Sequence, residues 1–182
     1  PYEAILFDLD GTLLNTLEGI GNTVNRILLS RGFPTHPVDA YRYFLGEGLA
    51  LLISRALPED QRDPTTVQTC VEAYRQDYSR TFSAVTHPYP GVPAMLDALT
   101  ARGLKLTILS NKPHRLTMKS VVELLPNWTF EVVLGQRAEV PRKPDPAGAY
   151  EIAERLNIPP AKFLYFGDTA VDMQTATAAG MV

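Results

Sequence analysis

The 182-residue sequence predicts an α/β fold: an open parallel sheet with helices on both faces, plus an inserted all-α unit. Three observations carry this expectation. Short apolar runs alternate with helix-like segments. Residues 16–86 break that rhythm with helical patterning alone. Acidic, hydroxyl and amide side chains gather where the apolar runs end.

Residues 3–8 (Glu-Ala-Ile-Leu-Phe-Asp) form a short apolar run that meets Asp10-Gly11, the pattern of a buried parallel strand ending in a tight loop. Leu17 to Ser30 reads as a helix, with Ile20, Val24, Ile27 and Leu28 on one face, and Gly48 to Leu57 and Val67 to Phe82 read as two more. Residues 92–102 read as the helix preceding the second strand, 105–110, which ends at Ser110-Asn111. Residues 113–125 are helical with Pro113 at N1, and 130–134 make a third strand. A helix over 146–156 opens with Asp145 as N-cap and Pro146 at N1. Strand 162–167 and helix 169–180 follow, and Ala179–Val182 reads as a helix end running into a further buried strand. The expected domains are a core of 1–15 with 87–182 and a helical insert of 16–86, with linkers near Leu13–Thr16 and His87–Gly91.

Composition narrows the function class. The sequence is 45% hydrophobic and 20% charged with a net charge of −3, and it shows no basic stripe, so nucleic acid is not an expected partner. The single cysteine, Cys70, excludes an internal disulfide and fits a reducing, cytoplasmic location. No secretory signal opens the sequence and no apolar stretch is long enough to span a bilayer, so no membrane partner is expected. The expected state is a monomer or homodimer.

In an open parallel sheet, ligands bind outside the carboxyl ends of the strands. Asp8 and Asp10 end the first strand, Ser110 and Asn111 the second, and Asp168 the last, with Asp172 about one helical turn beyond it. Lys143 precedes the Pro144-Asp145-Pro146 helix start. Carboxylates brought together repel unless a cation sits among them, and oxygen-only ligands favour Mg²⁺. Ser110 supplies a hydroxyl, Asn111 a backbone N–H, and Lys143 a positive charge for a dianion. The set reads as a phosphate-and-metal site.

These segments resemble the haloacid dehalogenase (HAD) superfamily. Phe7-Asp8-Leu9-Asp10-Gly11-Thr12-Leu13, Ile108-Leu109-Ser110-Asn111, Lys143-Pro144 and Gly167-Asp168-Thr169-Ala170-Val171-Asp172 match its motifs in order. Ser110-Asn111-Lys112 and His87-Pro-Tyr-Pro-Gly91 are similar to the phosphoglycolate phosphatase branch. The resemblance implies a Rossmann-like core with a C1-type cap over 16–86 that closes over the core. It implies a Mg²⁺-dependent phosphatase in which Asp8 attacks phosphorus and Asp10 serves as acid and then base. Mg²⁺ would be held by Asp8, the Asp10 carbonyl and Asp168, with Asp172 binding a metal water or orienting the shell. Gly11, Thr12, Ser110 and Asn111 would hold phosphoryl oxygens, and Lys143 would neutralise Asp8 and phosphate.

Two rival readings stay open: a phosphotransfer isomerase resembling β-phosphoglucomutase, and a non-catalytic binding protein on the same fold. A dehalogenase is disfavoured because Asp10 is present. A phosphonoacetaldehyde hydrolase needs a cap lysine, and no lysine precedes Lys105. Asn15 departs from the family, many members of which carry aspartate there.

Arg42, Glu47 and Arg55 flank a glycine-containing turn in the insert and are candidates for substrate specificity, since arginine suits a substrate carboxylate. The alternative is an ordinary charged helix surface. Tyr41, Tyr43 and Phe44 read as packing in the insert, and Phe163, Tyr165 and Phe166 as strand packing. His36, His87 and His114 lack metal spacing, and Cys70 lacks the partners of a nucleophile.

Overall fold

The computed structural model describes every residue from Pro1 to Val182. The chain forms two compact units, Pro1–Asn15 with His87–Val182, and Thr16–Thr86. No helix is long and apolar enough to cross a membrane.

The first unit is built on a parallel sheet in the order β5-β4-β1-β6. Its strands are β1 (Ala4–Phe7), β4 (Lys105–Pro113), β5 (Val132–Gln136) and β6 (Phe163–Phe166). Every residue of β1 is buried because both of its faces are covered. Ala4 and Leu6 point to one face, where Leu109, Leu134, Ile152, Ala176 and Ala179 complete a core beneath α6 (Ala147–Leu156) and α7 (Ala170–Ala179). Ile5 and Phe7 point to the other, in a core with Ile108 of β4, Val92 and Leu96 of α4 (Val92–Ala101) and Val121 of α5 (His114–Leu124). This is the period-2 alternation of a strand sandwiched between helix layers. Emptying such a site, as in Leu6→Ala, costs about 2–5 kcal/mol. A two-stranded ribbon of β2 (Leu14–Asn15) and β3 (His87–Pro88) brings together the two chain segments that flank the second unit.

The observed elements shift in places from the sequence expectation, for local reasons. β4 does not stop at Ser110 but continues to Pro113. Leu109 pairs with Leu134 and Pro113 with Gln136, so the strand carries an irregularity between them. Pro113 is therefore extended (φ −50°, ψ 133°) and precedes α5 as its N-cap rather than opening it at N1. Pro146 likewise caps α6, while the Asp145 carboxylate still accepts from Ala147 N at 2.9 Å. β5 begins two residues late, although Glu131 N already bonds Leu106 O at 2.9 Å. Val182 exchanges bonds with β6, donating to Phe163 O at 3.2 Å and accepting from Tyr165 N at 2.7 Å.

The second unit is helical. α1 (Leu17–Ser30) buries Ile20, Val24, Ile27 and Leu28, one stripe at helical spacing. α2 spans Leu49–Ala56 and α3 spans Pro64–Val85. α3 runs longer than the apolar pattern indicated because Asp63 caps it, accepting from Thr65 N and Thr66 N at 3.0 Å, with Pro64 in the first turn. Tyr74, Tyr78 and Phe82 follow one another down its buried face, with ring centroids 5.0 and 5.7 Å apart. Tyr41 is fully buried, and Gly21 leaves room for its ring: a Cβ there would stand 2.9 Å from Tyr41 Cδ2. Tyr43, expected in this core, is instead 83% exposed.

Candidate active site

The carboxyl ends of adjacent strands β4, β1 and β6 bring the sequence-predicted core residues together. Asp8 directly follows β1, and its N–H donates to Phe166 O at 2.8 Å, so the strand ladder fixes its backbone. The next residues fold into a tight turn in which Leu13 N and Leu14 N both bond Leu9 O, at 3.0 and 2.9 Å. Gly11 sits in that turn at φ 91°. That value suits glycine alone, and any Cβ would lie 2.3 Å from Asp168 Oδ2.

Lys143 is the cationic centre of the cluster and is buried. Its Nζ lies 2.9 Å from Asp8 Oδ1, 2.6 Å from Asp172 Oδ1 and 3.1 Å from Leu109 O. These acceptors match the donors of an ammonium group. Its backbone is clasped by the Asn111 side chain, which accepts from Lys143 N at 2.9 Å and donates to Lys143 O at 3.1 Å. Asn111 was expected to contribute its backbone amide; its side chain joins the β4 end to the Lys143 loop. Next to this clasp, Leu109, Ser110, Asn111, Gln136, Arg142 and Lys143 line a shallow, solvent-open recess.

Asp172 is enclosed by donors. Oδ1 accepts from Lys143 and, at 3.3 Å, from the Tyr165 hydroxyl, while Oδ2 accepts from Thr169 N at 3.1 Å and Thr169 Oγ1 at 2.7 Å. The Thr169 N contact is one half of the capping box of α7, whose other half is the Thr169 side chain accepting from the Asp172 backbone. Gly167 makes room for this carboxylate, since a Cβ there would lie 2.3 Å from Asp172 Cγ. Asp168 accepts from Thr12 Oγ1 at 3.0 Å, so the Thr12 hydroxyl is engaged by a carboxylate in this state.

The electrostatics follow from burial and spacing. Burial pushes the Asp8 carboxyl up to about 6; Lys143 opposes that shift, while Asp172 and Asp10 add to it. Burial alone would lower the Lys143 ammonium, but Asp8, Tyr165 and Asp172 outweigh it and the group is held above its ordinary value. For Asp172 burial works upward, and Lys143 with the Thr169 bonds pulls the carboxyl below the usual range. Burial also raises the Tyr165 hydroxyl.

Carboxylate oxygens of Asp8, Asp168 and Asp172 lie within 4.8 Å of one another. An oxygen-only donor set of this kind fits a hard divalent cation such as Mg²⁺. Both Asp172 oxygens are already bonded to protein donors, which suits orientation of neighbouring groups better than direct ligation.

The sequence reading assigned no site role to two residues that the structure brings in. The Lys112 ammonium stands 2.9 Å from Asp10 Oδ1, and Tyr165 reaches Asp172. Lys112 lies in the irregular stretch of β4 between Leu109 and Pro113, where strand alternation gives no guide to the face it takes. Tyr165 was expected only to pack, and Phe166, also assigned to packing, is 43% exposed and stacks on Phe7 at 5.6 Å.

The candidate specificity residues belong to the helical unit and pair within it. Arg55 donates to Glu47 Oε1 at 2.5 Å and Phe44 O at 3.4 Å, and exposed Arg42 lies 3.5 Å from Asp39. His36 bonds Ala56 O at 2.8 Å and His114 Nδ1 accepts from Gly135 N at 3.1 Å, both packing roles. Cys70 is buried and unpaired.

Known proteins are similar to this chain in sequence and fold. The phosphoglycolate phosphatase of Nitrosospira multiformis is 32% identical, over 99% of this chain and 81% of its own length. That of Xylella fastidiosa strain 9a5c is 35% identical over 97% of this chain and 76% of its own. A Lactobacillus delbrueckii subsp. bulgaricus crystal structure, provisionally assigned as a phosphoglycolate phosphatase, superposes with a TM-score of 0.92 at 28% identity, over 99% of this chain and 84% of its own. The family model of haloacid dehalogenase-like hydrolases matches residues 5–182. The chain belongs to the haloacid dehalogenase-like hydrolase family.

Proposed function

We propose that the protein is a Mg²⁺-assisted phosphatase that hydrolyses small phosphorylated metabolites through an aspartyl-phosphate on Asp8, with phosphoglycolate as its first candidate substrate. The observation that carries this reading is Asp8 itself: a buried carboxylate at a strand end, 2.9 Å from a buried lysine and grouped with Asp168 and Asp172. Burial of such charges is costly and sheet packing alone gives no reason for it. The names of the relatives support phosphoglycolate.

Asp8 attacks phosphorus while the ester oxygen leaves, and Asp10 gives that oxygen a proton. Asp10 then takes a proton from the water that opens the acyl phosphate. Lys143 stays charged and offsets the charge of Asp8 and of the phosphoryl group. Thr12, Ser110, Gly11 and the Asn111 amide lie at the same strand ends and hold the phosphoryl oxygens. Asp8, Asp168 and the Asp10 carbonyl would hold Mg²⁺, with Asp172 orienting Asp8's partner lysine; the ion supplies charge neutralisation at carboxylate and phosphoryl oxygens. A cytoplasmic setting suits the unpaired Cys70.

The test is phosphate release with Mg²⁺ from phosphoglycolate, hexose phosphates, nucleotides and pyrophosphate, repeated with EDTA. The reading expects metal-dependent release with phosphoglycolate preferred. Release unaffected by EDTA contradicts the metal site, and preference for another monoester moves the substrate assignment to it.

A further inference from the structure

Asp10 is tied to a cation that the four-motif reading leaves without a role. Lys112 extends from the continuation of β4, and its Nζ lies 2.9 Å from Asp10 Oδ1. The lysine side chain is only 6% exposed and that of Asp10 is 21% exposed. The Lys112 backbone is fixed on both sides: its N–H donates to Ser110 Oγ at 3.2 Å, and its carbonyl accepts from Thr117 Oγ1 at 3.1 Å. Gly135 on the neighbouring strand leaves space for that carbonyl, which a Cβ would approach to 2.7 Å. The ammonium is thus aimed from the end of β4 toward the end of β1, its neighbour in the sheet.

A buried lysine loses the hydration of its charge, a cost that an apolar residue filling the same volume does not carry. The ammonium faces the Asp10 carboxylate, the group that must present an oxygen to the leaving group. We propose that Lys112 is the positioning residue for Asp10, holding its carboxyl in the orientation from which it delivers the proton. The inference rests on the acid–base reading of Asp10 given above. As the Asp8 oxygen–phosphorus bond forms, the phosphorus–ester oxygen bond breaks and its electron pair stays on the ester oxygen. The Asp10 proton moves to that oxygen, and the carboxylate left behind is held by Lys112. Asp10 recovers a proton from the hydrolytic water, whose oxygen bonds phosphorus and frees Asp8.

The experiment compares single-turnover phosphoenzyme formation from phosphoglycolate and from 4-nitrophenyl phosphate, whose leaving group needs no proton. It uses Lys112→Met, Lys112→Gln, Lys112→Arg, Asp10→Asn and the double variant Asp10→Asn/Lys112→Met, each checked for folding by circular dichroism. Lys112→Met and Lys112→Gln should slow the alkyl ester about 30- to 100-fold and the aryl ester under about 3-fold, within the range that general acid catalysis supplies. KM should hold within about 3-fold, Lys112→Arg should restore most of the rate, and Lys112→Met should add nothing in the Asp10→Asn background. Equal loss on both esters, or a KM rise that persists without Asp10, would overturn the proposal in favour of a phosphate contact or a packing role. Leaving-group-independent loss in Asp10→Asn alone would instead remove the acid role itself, and this proposal with it. Should Lys112→Met fail to fold, the Lys112→Gln and Lys112→Arg pair decides.

Discussion

The α-carbon of Gly11 faces the Asp168 carboxylate so closely that a single added methyl would lie 2.3 Å from Oδ2 and 2.7 Å from Cγ. Gly11 also sits at φ 91°, where an L-residue is strained. Gly11→Ala therefore combines a backbone cost of about 1–2 kcal/mol with displacement of Asp168. Calorimetric titration should show Mg²⁺ affinity falling at least about tenfold, the loss typical when a metal ligand's surroundings are disturbed. Unchanged affinity would mean that Asp168 takes no part in holding the ion.

Removing the Lys143 ammonium leaves Asp8 and Asp172 facing each other in the interior. Lys143→Met should cost about 3–5 kcal/mol, the usual penalty for an uncompensated buried charge. The readouts are urea unfolding and turnover, and turnover should be abolished at every Mg²⁺ concentration. Lys143→Arg should not rescue it, because a planar guanidinium cannot reproduce the Asp8, Asp172 and Leu109 contacts of a compact ammonium. Near-normal stability in Lys143→Met would show that Asp8 takes up a proton and relieves the site on its own.

Asp8→Asn tests the nucleophile. The amide keeps the size of the carboxylate but cannot form an acyl phosphate, so turnover should fall by more than about a thousandfold. Stability of the metal-free protein should hold or rise slightly, since burial and two neighbouring carboxylates already work against an ionised Asp8. Trapping with labelled substrate should yield phosphoprotein in the parent and none in the variant. Labelled Asp8→Asn would place the nucleophile elsewhere.

The sheet was legible in the sequence because each strand is short, apolar and terminated by a turn or cap residue, which leaves little freedom in Ala4–Phe7 or Phe163–Phe166. What strand patterning does not encode is how far β4 runs. The irregularity between Leu109 and Pro113 depends on pairing with β5, and it carries Lys112 to Asp10. The strand-end carboxylates were visible as residues out of place in apolar surroundings. Their bonding was not: Asp172 accepts from three residues that sit 29, 7 and 3 positions away, a closure only the tertiary fold provides. Tyr43 and Phe166 show the converse limit, since an aromatic residue in an apolar stretch says nothing by itself about burial.

The loop that delivers Lys143 is anchored at its start by a charge cluster, and that gives a pH prediction. Arg137 grips Glu151 of α6 with both terminal guanidinium nitrogens, Nη1 and Nη2, and Arg155 Nη2 adds a bond of 2.6 Å from the next turn. The Arg137 hydrogen bond, opposed by slight burial and reinforced by the charges of both arginines, holds the Glu151 carboxyl below its ordinary value of 4.5. The folded state therefore releases the Glu151 proton more readily than the unfolded chain does. The resulting stabilisation is fully present above the unfolded value and is lost as pH falls through the lower folded value. A bidentate pair with its side chains only about a quarter exposed contributes on the order of 1 kcal/mol. Glu151→Gln should lower the urea-unfolding free energy by about that amount at pH 7. The gap between parent and variant should narrow as pH falls below 4.5 and close once pH is beneath the folded value. A gap that persists at low pH would mean that Glu151 acts through packing rather than charge.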